Sequence, residues 1–264
     1  MLLYAAPMLP PAVVRWTIGL MSCDASPESV RAALKALYDD ASTLATVGTA
    51  GEKLSLSVIA EARALGLEMA HVAPWIADSR YDDDARVLPL FASREVQLQR
   101  ALQGLASVGI TELGVVHVES AGERTRIDGV MNTAASLRLS ARRITLPSGG
   151  EAADLASRLP ANTPAVLLFL GGAIELAEFT RGLERGRVQR YVVCLADVDS
   201  SLLEGLPRSA KVPLIFAQVV PNPHSNSLEV VRRYRAALTS LFDEAPSPVS
   251  LAGYLAGRYT VQLL

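Results

Sequence analysis

The sequence predicts an α/β fold in which parallel strands alternate with covering helices. Short apolar runs recur along the chain, and segments with helical spacing of apolar residues separate them. Short strands that are joined by helical crossovers form parallel sheets covered on both faces. Small residues follow most of the apolar runs, as expected where a backbone turns tightly from a strand into a helix.

Seven apolar runs are the predicted buried strands, and they are spread over most of the chain. In order they are Trp16–Met21, Leu44–Val47, Glu68–Ala73, Leu113–Val118, Ala165–Leu170, Tyr191–Leu195 and Leu214–Val220.

The segments between these runs carry apolar residues at helical spacing. Ser26 and Pro27 are a favourable N-cap and N1 pair, which predicts that a helix begins there. A second helix is expected to end at Gly66. The four predicted apolar faces are Val30, Leu34 and Leu37; Leu54, Val58, Ile59, Ala62 and Leu65; Val96, Leu98, Leu102 and Leu105; and Ile127, Val130, Met131, Ala134 and Leu137.

Composition narrows the classes of function. The chain has 264 residues, of which 50% are hydrophobic and 20% charged, so it is expected to bury sizeable cores. A net charge of −2 gives no basic surface for nucleic acid. The first residues contain prolines and no basic segment, so a secretory signal is not expected. Cys23 and Cys194 lie far apart in the sequence, and we expect no disulfide between them.

Recognisable catalytic motifs are missing from the sequence. It contains no Gly-x-Ser-x-Gly, His-Glu-x-x-His or Gly-x-Gly-x-x-Gly motif and no cysteine pair at metal-binding spacing. The run Asp82–Asp84 has no turn glycine or closing glutamate at the right offset, so it is interpreted as a solvated loop. No cofactor or metal is expected. A small α/β hydrolase or transferase stays an alternative, because catalytic residues need not be close in sequence.

The carboxyl ends of the predicted strands are the expected ligand site, because ligands of open α/β sheets bind there. Each small residue alone is compatible with a tight turn, but five such ends in succession favour a binding site. They are Gly48–Gly51, Pro74–Ala77, Glu119–Gly122, Gly171–Ala173 and Ala196–Asp199.

Short motifs along the chain are similar to those of one family. Cys23–Pro27 resembles an Asp-Asp-x-Tyr-x-Pro loop, and Thr46–Ala50 resembles a Gly-x-x-Gly-Thr turn. A strand, a double-proline break and two helices then follow in Phe216–Pro223, Glu229–Leu238 and Ser247–Arg258. In this order they resemble the type I periplasmic binding proteins, and in particular the substrate-binding proteins of branched-chain amino-acid ABC transporters. Further similar segments are Ala73–Arg80, Leu90–Arg94 and Val116–Gly122.

The resemblance implies two α/β lobes with a ligand cleft between them. Lobe one is expected to comprise residues 1–91 with 221–264, and lobe two residues 92–220. The implied function is capture of a small solute in the periplasm for a membrane permease; a ligand-sensing domain of a signalling or regulatory protein is the alternative. The family's first strand and third crossover have no counterpart, so the resemblance implies an internal part of such a protein, truncated at both ends.

The resemblance also implies the ligand-binding residues. They are Thr49, Ala50, Trp75, Ile76 and Ala77 in lobe one and Ala121, Gly171, Ala196 and Asp197 in lobe two. Ala121 stands where the family usually has Tyr or Phe, and Ala196 occupies the position of its ammonium-binding acid. Because a buried unpaired charge is costly, these departures favour a small carboxylate with a hydrophobic tail over a zwitterionic amino acid.

Overall fold

A computed structural model describes residues 23, 26–38, 43–118, 123–147, 151–196, 212–225, 227–241 and 245–263. The chain divides into two compact units. The first unit is Met1–Ser93 with Val219–Leu264, and the second is Arg94–Gln218. The sequence analysis predicted that the chain passes from one lobe to the other after residue 91 and again after residue 220. That these units act as the two lobes of a binding protein stays a prediction.

The described residues of the first unit form a three-stranded parallel sheet in the order β1-β2-β3. Its strands are β1 (Ala45–Val47), β2 (Ala70–Val72) and β3 (Val87–Leu88). Its helices are α1 (Pro27–Tyr38), α2 (Glu52–Ala64), α7 (Glu229–Leu241) and α8 (Pro248–Leu263), with a 3-10 turn at Ser79–Tyr81.

Local signals explain how α1 and α2 begin and end. The hydroxyl oxygen of Ser26 accepts a hydrogen bond from the backbone N–H of Ser29 at 3.3 Å, so Ser26 caps α1 as its sequence predicts. Val30 and Leu34 of α1 pack against α2 in one buried cluster. Gly66 follows α2 with a φ of +67°, a left-handed conformation that glycine adopts without strain.

The second unit contains a five-stranded parallel sheet in the order β5-β4-β6-β7-β8. One buried cluster joins the sheet to α3 and α4, and another joins it to α5 and α6, so helices cover both faces. The strands are β4 (Glu112–Val118), β5 (Ser140–Leu146), β6 (Val166–Leu170), β7 (Tyr191–Cys194) and β8 (Leu214–Phe216). The helices are α3 (Arg94–Ser107), α4 (Glu123–Ser136), α5 (Ala152–Ser157) and α6 (Ala173–Arg185).

These elements confirm the predicted α/β class, and the described strands form two separate sheets. Six of the seven predicted strands are present, and the predicted strand Trp16–Met21 lies outside the described residues. The sequence missed β3 and β5. Cys23 and Cys194 form no disulfide and lie in different units, as expected.

Helices α5 and α6 approach so closely that one position accepts only glycine. A Cβ atom placed on Gly182 of α6 would overlap the carbonyl oxygen of Ala153 and lie 2.7 Å from the Cβ of Ala156. Both neighbours belong to α5, and Ala156 is itself buried. The absence of a side chain at Gly182 therefore sets the distance between the two helices.

The substitution Gly182→Ala is expected to lower the free energy of unfolding by about 1–3 kcal/mol, because a backbone carbonyl must move to admit the methyl group. The matched control is Gly129→Ala in α4, where no atom lies within 4 Å of the added Cβ. Alanine favours the helix there and should raise stability by up to about 1 kcal/mol. Urea unfolding of both variants measures the difference; equal effects would contradict the close packing of α5 on α6.

Candidate functional site

Two loops at the carboxyl end of the first sheet are joined through one carbonyl group. The carbonyl oxygen of Thr49 accepts the backbone N–H of Trp75 at 3.0 Å and the hydroxyl of Ser55 at 3.0 Å. Thr49 follows β1, Trp75 follows β2, and Ser55 is a fully buried residue of α2. Hydrogen bonds to buried groups are costly to leave unmade, so this carbonyl holds the loops after β1 and β2 in register.

The loop after β1 needs the glycines on either side of Thr49. Gly48 and Gly51 have φ values of +61° and +92°, which are strained for any residue with a side chain. The N–H of Gly48 donates to the carbonyl of Val72 at 2.9 Å, so the start of the loop after β1 is hydrogen-bonded to the end of β2. Thr49 is half-buried and Ala50 is exposed. The Thr49 hydroxyl makes no hydrogen bond within the described part of the chain.

The loop after β2 offers little side-chain surface apart from Trp75. Ile76 packs with Ile59 and Val87 inside the first unit and is 7% exposed. Ala77 is also buried, and its N–H donates to a carboxylate oxygen of Glu52 at 3.3 Å. Both residues lie at the predicted strand end, but their side chains belong to the core of the first unit, and their proposed contact with a ligand is untested.

Trp75 has a structural role as well as a place at the strand end. Its ring centroid lies 4.9 Å from that of Phe91, with the ring planes tilted by 45°. Both rings pack against the buried cluster that includes Val231 of α7 and Leu251 of α8. Trp75 remains half-buried rather than fully covered. The side chain therefore links the loop after β2 to the two C-terminal helices.

A buried histidine supports the same pair of strands from within. His71 of β2 is 4% exposed, and its Nδ1 atom lies 2.8 Å from the hydroxyl oxygen of Thr46 on β1. Burial, together with the smaller effect of the positive charges of Arg63 and Arg86, lowers the pKa of His71 to about 4. The imidazole is therefore neutral in the folded protein near neutral pH.

This lowered pKa predicts a loss of stability in mild acid. Between the ordinary pKa of 6.5 and the folded value of about 4, the unfolded chain binds a proton that the folded protein does not. The free energy of unfolding should therefore fall as the pH drops through this window, by at most about 1.4 kcal/mol per pH unit from this group. The substitution His71→Gln removes the group and should flatten that part of the profile.

Thr46→Val is the control for the pH measurement. It removes the hydroxyl partner but leaves the imidazole buried, so the acid-induced loss should persist. Denaturant unfolding at several pH values measures both variants. An identical pH profile for His71→Gln and the unsubstituted protein would contradict this role of His71.

Two of the residues predicted for the second unit, Gly171 and Ala196, lie at the carboxyl ends of β6 and β7. Gly171 follows β6, and a Cβ atom there would lie 2.8 Å from the ring of Phe169. The N–H of Ala196 donates to the side-chain oxygen of Gln97 at 3.0 Å, and Gln97 is a buried residue of α3. Helix α3 therefore holds the backbone at Ala196, directly after the end of β7. Ala121 and Asp197 lie outside the described residues.

Ser55 and Gln97 are supporting residues that the sequence reasoning missed. Both interrupt or border an apolar helical face, and both are buried. A polar residue inside such a face is a usable signal, because it must find a hydrogen-bond partner when the helix packs. Here the partners are backbone groups of two strand-end loops.

The described residues hold no group of three or more His, Cys, Asp or Glu side chains that suits a metal ion. In the acidic loop, Asp84 forms an ion pair with Arg63 instead. None of the helices in the described ranges is long and apolar enough to cross a bilayer.

Comparison with solved structures identifies the fold of this chain. An extracellular ligand-binding receptor from Verminephrobacter eiseniae superposes with a TM-score of 0.71 at 15% identity, over 92% of this chain and 72% of that one. A substrate-binding protein of an ABC transporter from Desulfitobacterium hafniense, solved in complex with Leu, gives 0.71 at 16% identity, over 92% and 70%. This chain has the type I periplasmic-binding-protein fold.

A third protein with this fold is named for a different kind of solute, a fatty acid. It is a fatty acid ABC transporter substrate-binding protein from Thermomonospora curvata, with a TM-score of 0.68 at 12% identity, over 91% of this chain and 62% of that one. No family model and no curated protein matches the sequence. The likeness to the type I periplasmic binding proteins is therefore one of fold.

Proposed function

We propose that this protein binds a small solute as the substrate-binding component of an amino-acid-type ABC transporter, in the periplasm and with a membrane permease as its partner. The observation that carries the proposal is the pair of strand-end loops joined through the Thr49 carbonyl, beside a hydroxyl that no described residue engages. Solved structures with this fold include proteins described as binding Leu and as transporting fatty acids. We propose binding rather than catalysis.

The proposed contacts follow the strand ends of each unit. In the first unit the Thr49 hydroxyl, the exposed Ala50 and the half-buried Trp75 face the ligand, with Ile76 and Ala77 contributing backbone. In the second unit Gly171 lets the ligand approach the backbone closely. The proposed set is completed by Ala121, Ala196 and Asp197.

The proposed ligand is a small carboxylate with a hydrophobic tail, or an amino acid. The Thr49 hydroxyl can donate a hydrogen bond to a carboxylate, and a bond with a charged partner is stronger than a neutral one. The apolar body would contact the exposed part of Trp75. Calorimetric titration with leucine, 4-methylpentanoate and 3-methylbutylamine separates the contributions of the two charged groups, because the three probes share one branched hydrocarbon chain.

The substitution Thr49→Val tests the site without disturbing the loops. Valine has nearly the shape of threonine, and the main-chain carbonyl keeps both of its hydrogen bonds. Loss of one hydrogen bond to a charged group should weaken binding of the preferred carboxylate by roughly tenfold or more. Binding of 3-methylbutylamine should change far less.

Thr239→Val on α7 is the matched control. The Thr239 hydroxyl donates to the carbonyl of Arg235 within its own helix and lies far along the chain from both loops. It should leave every affinity unchanged. Equal affinities of Thr49→Val and the unsubstituted protein for leucine and 4-methylpentanoate would contradict the proposed site.

A further inference from the structure

The two edges of the second unit's sheet differ in charge. Strand β5 is one edge of the described sheet, and β8 is the other. The exposed positions of β5 include Arg142 and Arg143, and Arg143 forms an ion pair with Asp128 of α4. By contrast, the segment that contains β8 has no Asp, Glu, Lys or Arg over residues 212–228. Charged side chains on an edge strand oppose pairing with another chain, so β5 has this protection and β8 lacks it.

The β8 edge also exposes an apolar side chain. Ile215 is the middle residue of β8 and is 47% exposed. It pairs in register with Val193 of β7, so the two side chains point to the same face of the sheet. Val193 is buried in the cluster that joins the sheet to α3 and α4. The helices therefore cover this face at β7 and leave it open at β8, where Tyr191 of β7 is also partly exposed.

The backbone of β8 has hydrogen-bonding groups that point away from the sheet. The carbonyl of Pro213 accepts a hydrogen bond from β7 at 3.0 Å, and the N–H of Ala217 donates one to β7 at 2.8 Å. Backbone groups alternate in direction along a strand, so Ile215 also faces β7, whereas the N–H and C=O groups of Leu214 and Phe216 face away from it. Among the described residues, none is hydrogen-bonded to these outward groups. They are an open template for a further strand.

A second copy of β8 fits this template in an antiparallel arrangement. When Ile215 lies opposite its counterpart in the second copy, Leu214 of each copy lies opposite Phe216 of the other. These are the hydrogen-bonded pairs of an antiparallel ladder, and the two Ile215 residues are the non-hydrogen-bonded pair, whose side chains lie closer together. The pairing uses all the outward groups of the strand.

Charge favours a second copy as the occupant. In this arrangement a two-fold axis passes between the two Ile215 residues, and a two-fold interface brings the same surface of both copies together. Like charges directly opposite each other destabilise a strand pair. The arginines of β5 oppose such a contact, whereas the uncharged segment around β8 allows it.

We propose that two copies of this chain associate through β8, which joins the sheets of their second units edge to edge. The proposal is independent of the proposed function, because it concerns the edge of the sheet and not the carboxyl ends of its strands. Strand β8 is only three residues long, so the shared surface is small. Small interfaces are weak, and we expect a dissociation constant of about 10–100 μM.

The test is sedimentation equilibrium of the full chain at concentrations from about 1 μM to about 1 mM. The unsubstituted protein should change from monomer to dimer over this range. Ile215→Lys should raise the dissociation constant by about a hundredfold or more, because the substitution enters the interface twice and brings like charges together. Ile215→Glu should have the same effect. An equimolar mixture of the two variants should dimerise again, because Lys then lies opposite Glu.

Val108→Lys is the matched control. Val108 is 74% exposed and lies between α3 and β4, and two strands separate β4 from β8 in the sheet. This variant should dimerise like the unsubstituted protein. Thermal unfolding at low concentration checks that each variant folds, which we expect because both replaced side chains are exposed.

Three results would each overturn the proposal. They are an unsubstituted protein that stays monomeric at about 1 mM, a dimer that Ile215→Lys leaves intact, and a mixture of the folded Lys and Glu variants that stays monomeric. If neither variant folds, hydrogen exchange of the unsubstituted protein decides. The N–H groups of Leu214 and Phe216 should then exchange more slowly at about 1 mM than at about 1 μM, and equal rates would refute pairing through β8.

Discussion

Parallel strand pairing is the constraint on which the rest of this structure depends. Every described strand pair in both sheets is parallel. Parallel neighbours cannot be joined by a tight hairpin, so each connection must cross back over a face of the sheet, most often as a helix. As a result the loops that leave the strands gather at one edge of each sheet. Within each unit, the described candidate residues lie at one edge of the sheet for that reason, although they are distant in sequence.

Buried polar groups then give these loops a defined geometry. The Thr49 carbonyl serves two donors from different elements, and Gln97 of α3 performs a similar task for the backbone at Ala196. Each bond is satisfied within one unit. Because buried hydrogen bonds are costly to break, the strand ends have a fixed geometry in the protein alone, and such a geometry would reduce the ordering cost of the proposed binding.

Elements with a regular apolar pattern could be predicted from the sequence. Elements that depend on pairing with a neighbouring strand could not. The buried strand Val166–Leu170 was predicted because nearly all of its residues are apolar. Strand β5 was missed because it lies at the sheet edge and carries polar residues such as Arg142 and Arg143 on its exposed positions. Strand β3 is only two residues long and is held by its pairing with β2.

The same limit applies to the candidate site. The residues that follow a strand can be predicted from the sequence, and Thr49, Trp75 and Gly171 lie at strand ends as predicted. The direction of a side chain depends on its packing. For that reason the core contacts of Ile76 and the contact between the rings of Trp75 and Phe91 could be seen only in the structure.

Hydrogen–deuterium exchange with and without a bound solute tests the central claim most directly. Binding at the strand ends should slow exchange in peptides that cover residues 48–52, 73–78 and 170–175. Peptides at the amino ends of the strands, covering residues 108–111 and 160–164, should exchange at unchanged rates. Protection confined to the amino ends, or spread evenly over both edges while calorimetry shows binding, would contradict solute capture at the carboxyl ends of the two sheets.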